Sequence, residues 1–185
     1  MMRIISGVRR GKKLLSLEGD STRPTLERVK QAFFSAIQFE IAGKTVLDLF
    51  AGSGQLGLEA LSRGAEFCYF NDMSAKACEI INKNVTACDF LKMSQLTCKS
   101  YIDCVKMIKS RNKKVSLVFL DPPYGNDLVN SSLELLDESG VLEKGAVIVC
   151  ETADTDDVDC NAYSLRKEYR YSGIKVSILS YEGEE

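Results

Sequence analysis

Two short stretches hold the residue types that chemistry needs. The first is Val46-Leu47-Asp48-Leu49-Phe50-Ala51-Gly52-Ser53-Gly54-Gln55-Leu56-Gly57, in which apolar residues run up to a carboxylate and a Gly-x-Gly-x-x-Gly turn follows. Such a turn lets a ligand approach the main chain, although many strand-to-helix turns need glycine for geometry only. Asp48 bears on which ligand. A dinucleotide site receives a pyrophosphate at the following helix N-terminus, and a carboxylate at the strand end repels it. S-adenosylmethionine brings an ammonium and a sulfonium near the turn instead, and a carboxylate suits both cations. A second acid, Asp72, ends the next apolar run, Glu66 to Asn71. That is the spacing expected of a carboxylate accepting from ribose hydroxyls, in NAD or S-adenosylmethionine alike.

The second stretch is Asp121-Pro122-Pro123-Tyr124, directly after the apolar run Val115 to Leu120. Two prolines remove backbone donors and fix the loop, so it presents carbonyls and a carboxylate, all acceptors. An acceptor loop suits an exocyclic amine, whose lone pair is delocalised into its ring. Accepting both amine protons favours pyramidal geometry and directs the lone pair at a methyl donor. Tyr124 offers a ring on which a base stacks.

The elements that position these stretches alternate strand and helix from Lys44 onward, the pattern of a parallel sheet. Strands are expected at about 45–49, 66–71, 95–99, 115–120 and 146–150, with helices at about 55–63, 75–87, 101–110 and 127–138 between them. The run 115–120 is apolar almost throughout, as in a central strand covered on both faces. Runs 163–171 and 174–182, separated by Ser172-Gly173, read as an antiparallel hairpin closing the sheet edge. Before the sheet, residues 2–17 read as a short hairpin or an irregular extended arm. Thr25 is a candidate N-cap for a helix carrying Val29, Ala32, Phe33 and Ile37. This divides the chain into a basic extension, 1–40, and a catalytic domain, 41–185.

The 185 residues, 45% hydrophobic and 27% charged, suit a globular fold with a substantial core. No apolar run reaches membrane-spanning length and no leader pattern opens the chain, so a cytoplasmic protein is expected. With no histidine and no Cys-x-x-Cys pair among seven cysteines, no metal site is expected and histidine-based nucleophilic catalysis is excluded. Charge is unevenly distributed. Residues 1–30 hold eight basic and three acidic residues, a net +5, which leaves −7 for the remainder. A basic segment on an acidic body points to a polyanionic partner.

Asp48 to Gly54 and Asp121 to Tyr124 resemble motifs I and IV of amino-group methyltransferases that use S-adenosylmethionine. Beyond them, Arg3-Ile4-Ile5-Ser6-Gly7, Arg10-Gly11, Arg23-Pro24-Thr25 with Arg28-Val29, and Leu56 to Gly64 resemble the bacterial 16S ribosomal RNA guanine-N2 methyltransferases (RsmD type). The resemblance implies an α/β Rossmann-like class I methyltransferase fold. Its seven-stranded, mainly parallel sheet is ordered 3-2-1-4-5-7-6. It implies methylation of a guanine amine in small-subunit rRNA, in the assembled or assembling subunit. Asp48, Phe50, Ala51, Gly52, Gly54 and Asp72 are then cofactor-binding. Ser100 joins them, standing where such enzymes often place an acid for the adenine amine. Asp121, Pro122 and Tyr124 hold the flipped base, and Arg9, Arg10, Lys12, Lys13 and Arg23 meet RNA. A DNA adenine-N6 or cytosine-N4 methyltransferase, and a non-catalytic assembly factor of the same fold, are the alternatives.

Overall fold

The computed structural model describes residues 2–17, 24–123, 125 and 127–183. Its framework is one sheet of seven strands: β1 (Thr45–Asp48), β2 (Phe67–Asn71), β3 (Ser94–Thr97), β4 (Val115–Leu120), β5 (Leu142–Ala153), β6 (Tyr163–Tyr171) and β7 (Ile174–Tyr181). They lie in the order β3-β2-β1-β4-β5-β7-β6, as expected. The first five run parallel, and β7 enters antiparallel between β5 and β6.

Central β4 is buried at all six positions. Side chains alternate across a strand, so it supplies both faces. Leu117 and Phe119 join Val46, Val147 and Val149 on one face, under α1 (Pro24–Ala36), α2 (Gln55–Ser62) and α3 (Ala75–Ala87). Val118 and Leu120 join Leu47, Ile148 and Leu179 on the other, under α4 (Tyr101–Ser110) and α5 (Leu128–Ser139).

Two boundaries differ from the sequence reading. Helix α1 already includes Pro24, so Thr25 lies inside the helix and is not its N-cap. Proline at the first helical position has φ pre-set and no amide to satisfy. Strand β5 runs from 142 rather than 146 and ends at 153. The early part, Glu143-Lys144-Gly145, is exposed and polar, and the β4–β5 register shifts there, so no apolar signal marks it.

Residues 2–17 form an irregular hairpin with a single bridge, Arg3 to Lys13, braced by Ile4 and Gly11 backbone bonds. Met2, Ile4 and Leu14 are buried in the same cluster as α1, α2 and α3. The hairpin is fastened by α2. The buried Glu59 carboxylate accepts from the Ile5 amide at 2.7 Å, the Ser6 amide at 3.0 Å and Arg63 Nε at 2.7 Å. Ser62 Oγ donates to the Ser6 carbonyl at 2.6 Å and accepts from the Arg9 amide at 3.0 Å. Gly7 lies so close to α2 that an added Cβ would stand 1.7 Å from the Ser62 carbonyl oxygen.

Removing Glu59 leaves two amides and a guanidinium without their acceptor in a partly buried contact. Glu59→Ala is therefore expected to lower unfolding free energy by about 2–4 kcal/mol. Urea denaturation measures the loss, and hydrogen exchange should show residues 2–17 opening first. A variant as stable as wild type, with the hairpin still protected, would contradict this role.

Candidate active site

The C-terminal ends of the parallel strands form the edge where the two chemical motifs meet. β1 pairs with β4 through Asp48 and Phe119, so the glycine turn and the Asp121 loop leave neighbouring strands. Open α/β sheets bind ligands at this edge.

The turn is held from below and from the side by carboxylates. Asp48, 1% exposed, accepts the Gly57 amide at 2.9 Å. Asp72 accepts the Gly52 amide at 2.8 Å through one oxygen and the Ser74 amide at 2.8 Å through the other. The Gly54 amide reaches the Ala51 carbonyl at 2.6 Å, and the Ala51 amide reaches Asn71 at 2.8 Å. The Ala51, Gly52, Gly54 and Gly57 amides are thus engaged within the protein rather than held open for a phosphate. Gly57 allows α2 to sit on β2, since a Cβ there would stand 2.3 Å from Phe70 and 2.6 Å from the Cys68 sulfur.

Asn71 carries a role that the sequence reading missed. Its side-chain amide donates to the Leu49 carbonyl at 3.2 Å and the Lys99 carbonyl at 3.1 Å, while its oxygen accepts from Thr97 Oγ1 at 2.8 Å. One buried side chain thereby ties the ends of β1, β2 and β3 together. A lone Asn closing an apolar strand, next to Asp72, was the available signal. Lys30 of α1 was missed as well. Its ammonium donates to Gln55 Oε1 at 2.5 Å, and its charge acts on Asp48.

The remaining predicted residues fall as follows. Phe50 leaves the end of β1, half-buried, with its ring 5.9 Å from that of Tyr101. Ala51 is buried in the turn. Ser100 is the N-cap of α4: its hydroxyl accepts the Asp103 amide at 3.1 Å and donates to the Asp103 carboxylate at 2.8 Å. Ser100 is thus bonded to an acid in the first turn of α4. Asp121 is half-buried and Pro122 buried at the end of β4. Of the basic residues, Arg10, Lys12 and Lys13 are exposed. Arg9 is bound by its own protein, with Nε donating to the Cys88 carbonyl at 2.7 Å, an ion pair to Asp89 at 3.2 Å and the Phe90 ring beneath. Tyr124 and Arg23 lie outside the described residues. Among the described residues, no three His, Cys, Asp or Glu side chains are grouped to hold a metal. No helix among them is long and apolar enough to cross a membrane. Burial pushes the Cys68, Cys104 and Cys150 thiols up, which fits cysteines filling the core.

This sheet order, with a carboxylate-flanked glycine turn after β1 and an acceptor loop after β4, defines a class I methyltransferase fold. Residues 2–180 match the family described as Conserved hypothetical protein 95, and the chain belongs to that family, the RsmD-type methyltransferases. The chain is 39% identical to Bacillus subtilis YlbH over 150 residues, 81% of this chain and 82% of that one. It is 36% identical over 152 residues to the Ribosomal RNA small subunit methyltransferase D of Haemophilus influenzae, covering 82% of this chain and 78% of the relative. Among solved structures, Escherichia coli yhhF superposes with a TM-score of 0.85 at 28% identity over 99% of both chains. An RNA methyltransferase from Salinibacter ruber, solved in complex with S-adenosyl-L-homocysteine, shares the fold at a TM-score of 0.65 and 16% identity, over 88% of this chain and 96% of that one.

Burial raises the Asp48 pKa from its ordinary 3.8 to about 7; the Gly57 amide and Lys30 oppose the rise, and the Asp72 charge adds to it. The folded protein therefore holds this proton more tightly than the unfolded chain does. The stability it contributes is fully present below about pH 4 and is lost as pH climbs through about 7. Asp48→Asn, which cannot titrate, should remove this dependence. For ligand-free protein, the wild-type unfolding free energy minus that of the variant should fall by about 2–3 kcal/mol between about pH 5 and 7.5. Chemical denaturation across that range checks it, and parallel curves would refute it.

Proposed function

We propose that this chain transfers a methyl group from S-adenosylmethionine to the exocyclic N2 amine of a guanine in 16S ribosomal RNA, within the small ribosomal subunit. The observation that carries the reading is the adjacency of two loops of opposite purpose on neighbouring strands. One is a glycine turn whose amides are engaged by Asp48 and Asp72; the other is the Asp121-Pro122-Pro123 acceptor loop. The names of the relatives support rRNA as the substrate.

The turn suits a cation better than a phosphate, because carboxylates rather than open amides surround it. S-adenosylmethionine supplies a methyl group made electrophilic by its sulfonium. Asp48, Phe50, Ala51, Gly52 and Gly54 form the bed for its amino-acid end, Asp72 accepts from its ribose, and Ser100 with Asp103 lies on the adenine side. The Asp121 carboxylate and the Pro122 carbonyl accept the two protons of the guanine amine. Their pull localises the nitrogen lone pair, which forms the new N–C bond. The proton that the methylated amine loses passes to Asp121 or to water. Tyr124 stacks on the extruded base. Orientation by the two loops is the main source of rate. Arg10, Lys12, Lys13 and Arg23 contact phosphates, with Arg9 stiffening the hairpin that carries them.

The direct test incubates the protein with labelled S-adenosylmethionine and undermethylated small subunits, then maps the modified base. Label on a guanine N2 is expected; no transfer to rRNA would refute the proposal.

Asp121→Ala should lower turnover by about 10²–10³ while S-adenosylmethionine affinity measured by calorimetry stays close to wild type. Undiminished turnover would remove Asp121 from the chemistry. The basic hairpin is tested by salt. Each phosphate contact contributes a slope of about −0.9 on duplex and about −0.7 on single strands in log affinity against log salt. Arg10→Ala combined with Lys12→Ala should therefore flatten RNA binding by roughly one to two units of slope. Coincident lines for wild type and double variant would mean these residues do not meet phosphate.

A further inference from the structure

Beside the acceptor loop lies an open cleft lined by Pro122 and Pro123, the start of α5, and Glu151, Thr152, Asp156 and Asp157. Among the described residues that line it none is basic, and the buried Lys175 donates to the Asp156 carbonyl.

Glu151 is fixed in this cleft by the sheet. Leu120 of β4 pairs with Cys150 of β5, so Asp121, just past the end of β4, lies beside Glu151, which is still within β5. Neighbouring strands lie about 4.8 Å apart. Glu151 is also paired across to Val176 of β7, which fixes its backbone on the second side. A second carboxylate therefore stands one strand away from the carboxylate that meets the methyl acceptor.

That spacing has a chemical consequence. Three bases carry an exocyclic amine. In adenine the ring nitrogen beside the amine is N1, and in cytosine it is N3; both are unprotonated acceptors. In guanine N2 is flanked by N1–H, a donor, and by N3, an acceptor. A carboxylate on the N1 side of the amine accepts from guanine, and in the same place it repels the ring-nitrogen lone pair of the other two bases. We infer that Glu151 selects the base, accepting the guanine N1–H while the acceptor loop holds N2. This rests on the guanine-N2 reading above and adds the residue that enforces it.

The experiment varies the base and its partner together. 2-Aminopurine keeps the 2-amine but has an unprotonated N1 and lacks O6, so the change of preference in the Glu151 variant reports the N1 contact. Small-subunit rRNA is ligated with guanine or 2-aminopurine at the mapped acceptor position and assembled into the subunit. Methyl transfer by wild type and Glu151→Gln is then compared as kcat/KM. Wild type should favour guanine by about 10- to 100-fold. The glutamine amide can turn its oxygen to N1–H or its nitrogen to a bare N1, so the ratio for Glu151→Gln should fall to within about threefold. S-adenosylmethionine affinity, unchanged in the variant, reports that it is folded. A wild-type enzyme that uses both bases equally overturns the inference without needing any variant. So does a folded Glu151→Gln that keeps the wild-type ratio, and in both cases guanine methylation itself still stands. Absence of any guanine labelling by wild type overturns the guanine reading and this inference together.

Discussion

A carboxylate with almost no access to water governs this active edge. Asp48 ends β1 inside the core and accepts the Gly57 amide, which joins the central sheet to the first turn of α2. Burying a charge is unfavourable unless partners or a ligand compensate. Here one amide and the nearby Lys30 offset only part of that cost, and the proton is held to about pH 7. A cation arriving at the turn favours the ionised form and relieves the penalty. The same constraint separates this turn from a phosphate cradle, because Asp72 engages the Gly52 amide as Asp48 engages that of Gly57.

The N-terminal hairpin depends on a second buried carboxylate, Glu59 of α2, two residues beyond Gly57. Glu59 and Ser62 on α2 accept from and donate to the backbone of residues 5, 6 and 9. The hairpin also reaches the glycine turn: Asn84 of α3 donates to both the Leu15 and Ser53 carbonyls, and Ser53 Oγ donates to the Met2 sulfur at 3.1 Å. The basic segment and the turn are therefore parts of one packed unit, joined through α2 and α3.

What the sequence disclosed follows from which signals are local. The strands and the turn were legible because apolar runs, glycines and carboxylates sit within a few residues of one another, whereas the strand order followed only from the family resemblance. The matching stretches Arg3 to Gly7 and Leu56 to Gly64 were visible as text, yet their reason was not. Glu59 meets Ile5 across 54 positions, and no periodicity reports such a bond. Arg9 read as a free cation because its partners, Cys88 and Asp89, are equally remote. Ser100 read as a missing acid, because the capping geometry that brings Asp103 back to it exists only once α4 has formed. The first part of β5 was hidden for the opposite reason: its residues are polar and exposed, and only pairing makes them a strand. Tyr124 and Arg23 lie outside the described residues, so the structure adds nothing to the sequence reading there.

Charge separation along the chain acquires a physical reason when the strand ends are viewed together. Asp48, Asp72 and Asp121 stand at or just past the ends of β1, β2 and β4, Glu151 lies near the end of β5, and Asp103 is in the first turn of α4, which follows β3. The edge that suits a cationic methyl donor and a neutral base is therefore hostile to phosphate. For the proposed reaction, the polyanion carrying the base must be attracted from elsewhere, or the acidic edge would repel it before the base could enter. Residues 1–30, with a net +5, are the strongly positive part of the chain, and their exposed Arg10, Lys12 and Lys13 lie on a hairpin anchored to α2. In that reaction a long-range positive field would steer the RNA, and the acidic edge would admit the uncharged base while its phosphates stay outside. Attraction and exclusion require opposite charges, so one surface cannot provide both. The lock between Glu59 and the hairpin keeps the two at a fixed separation.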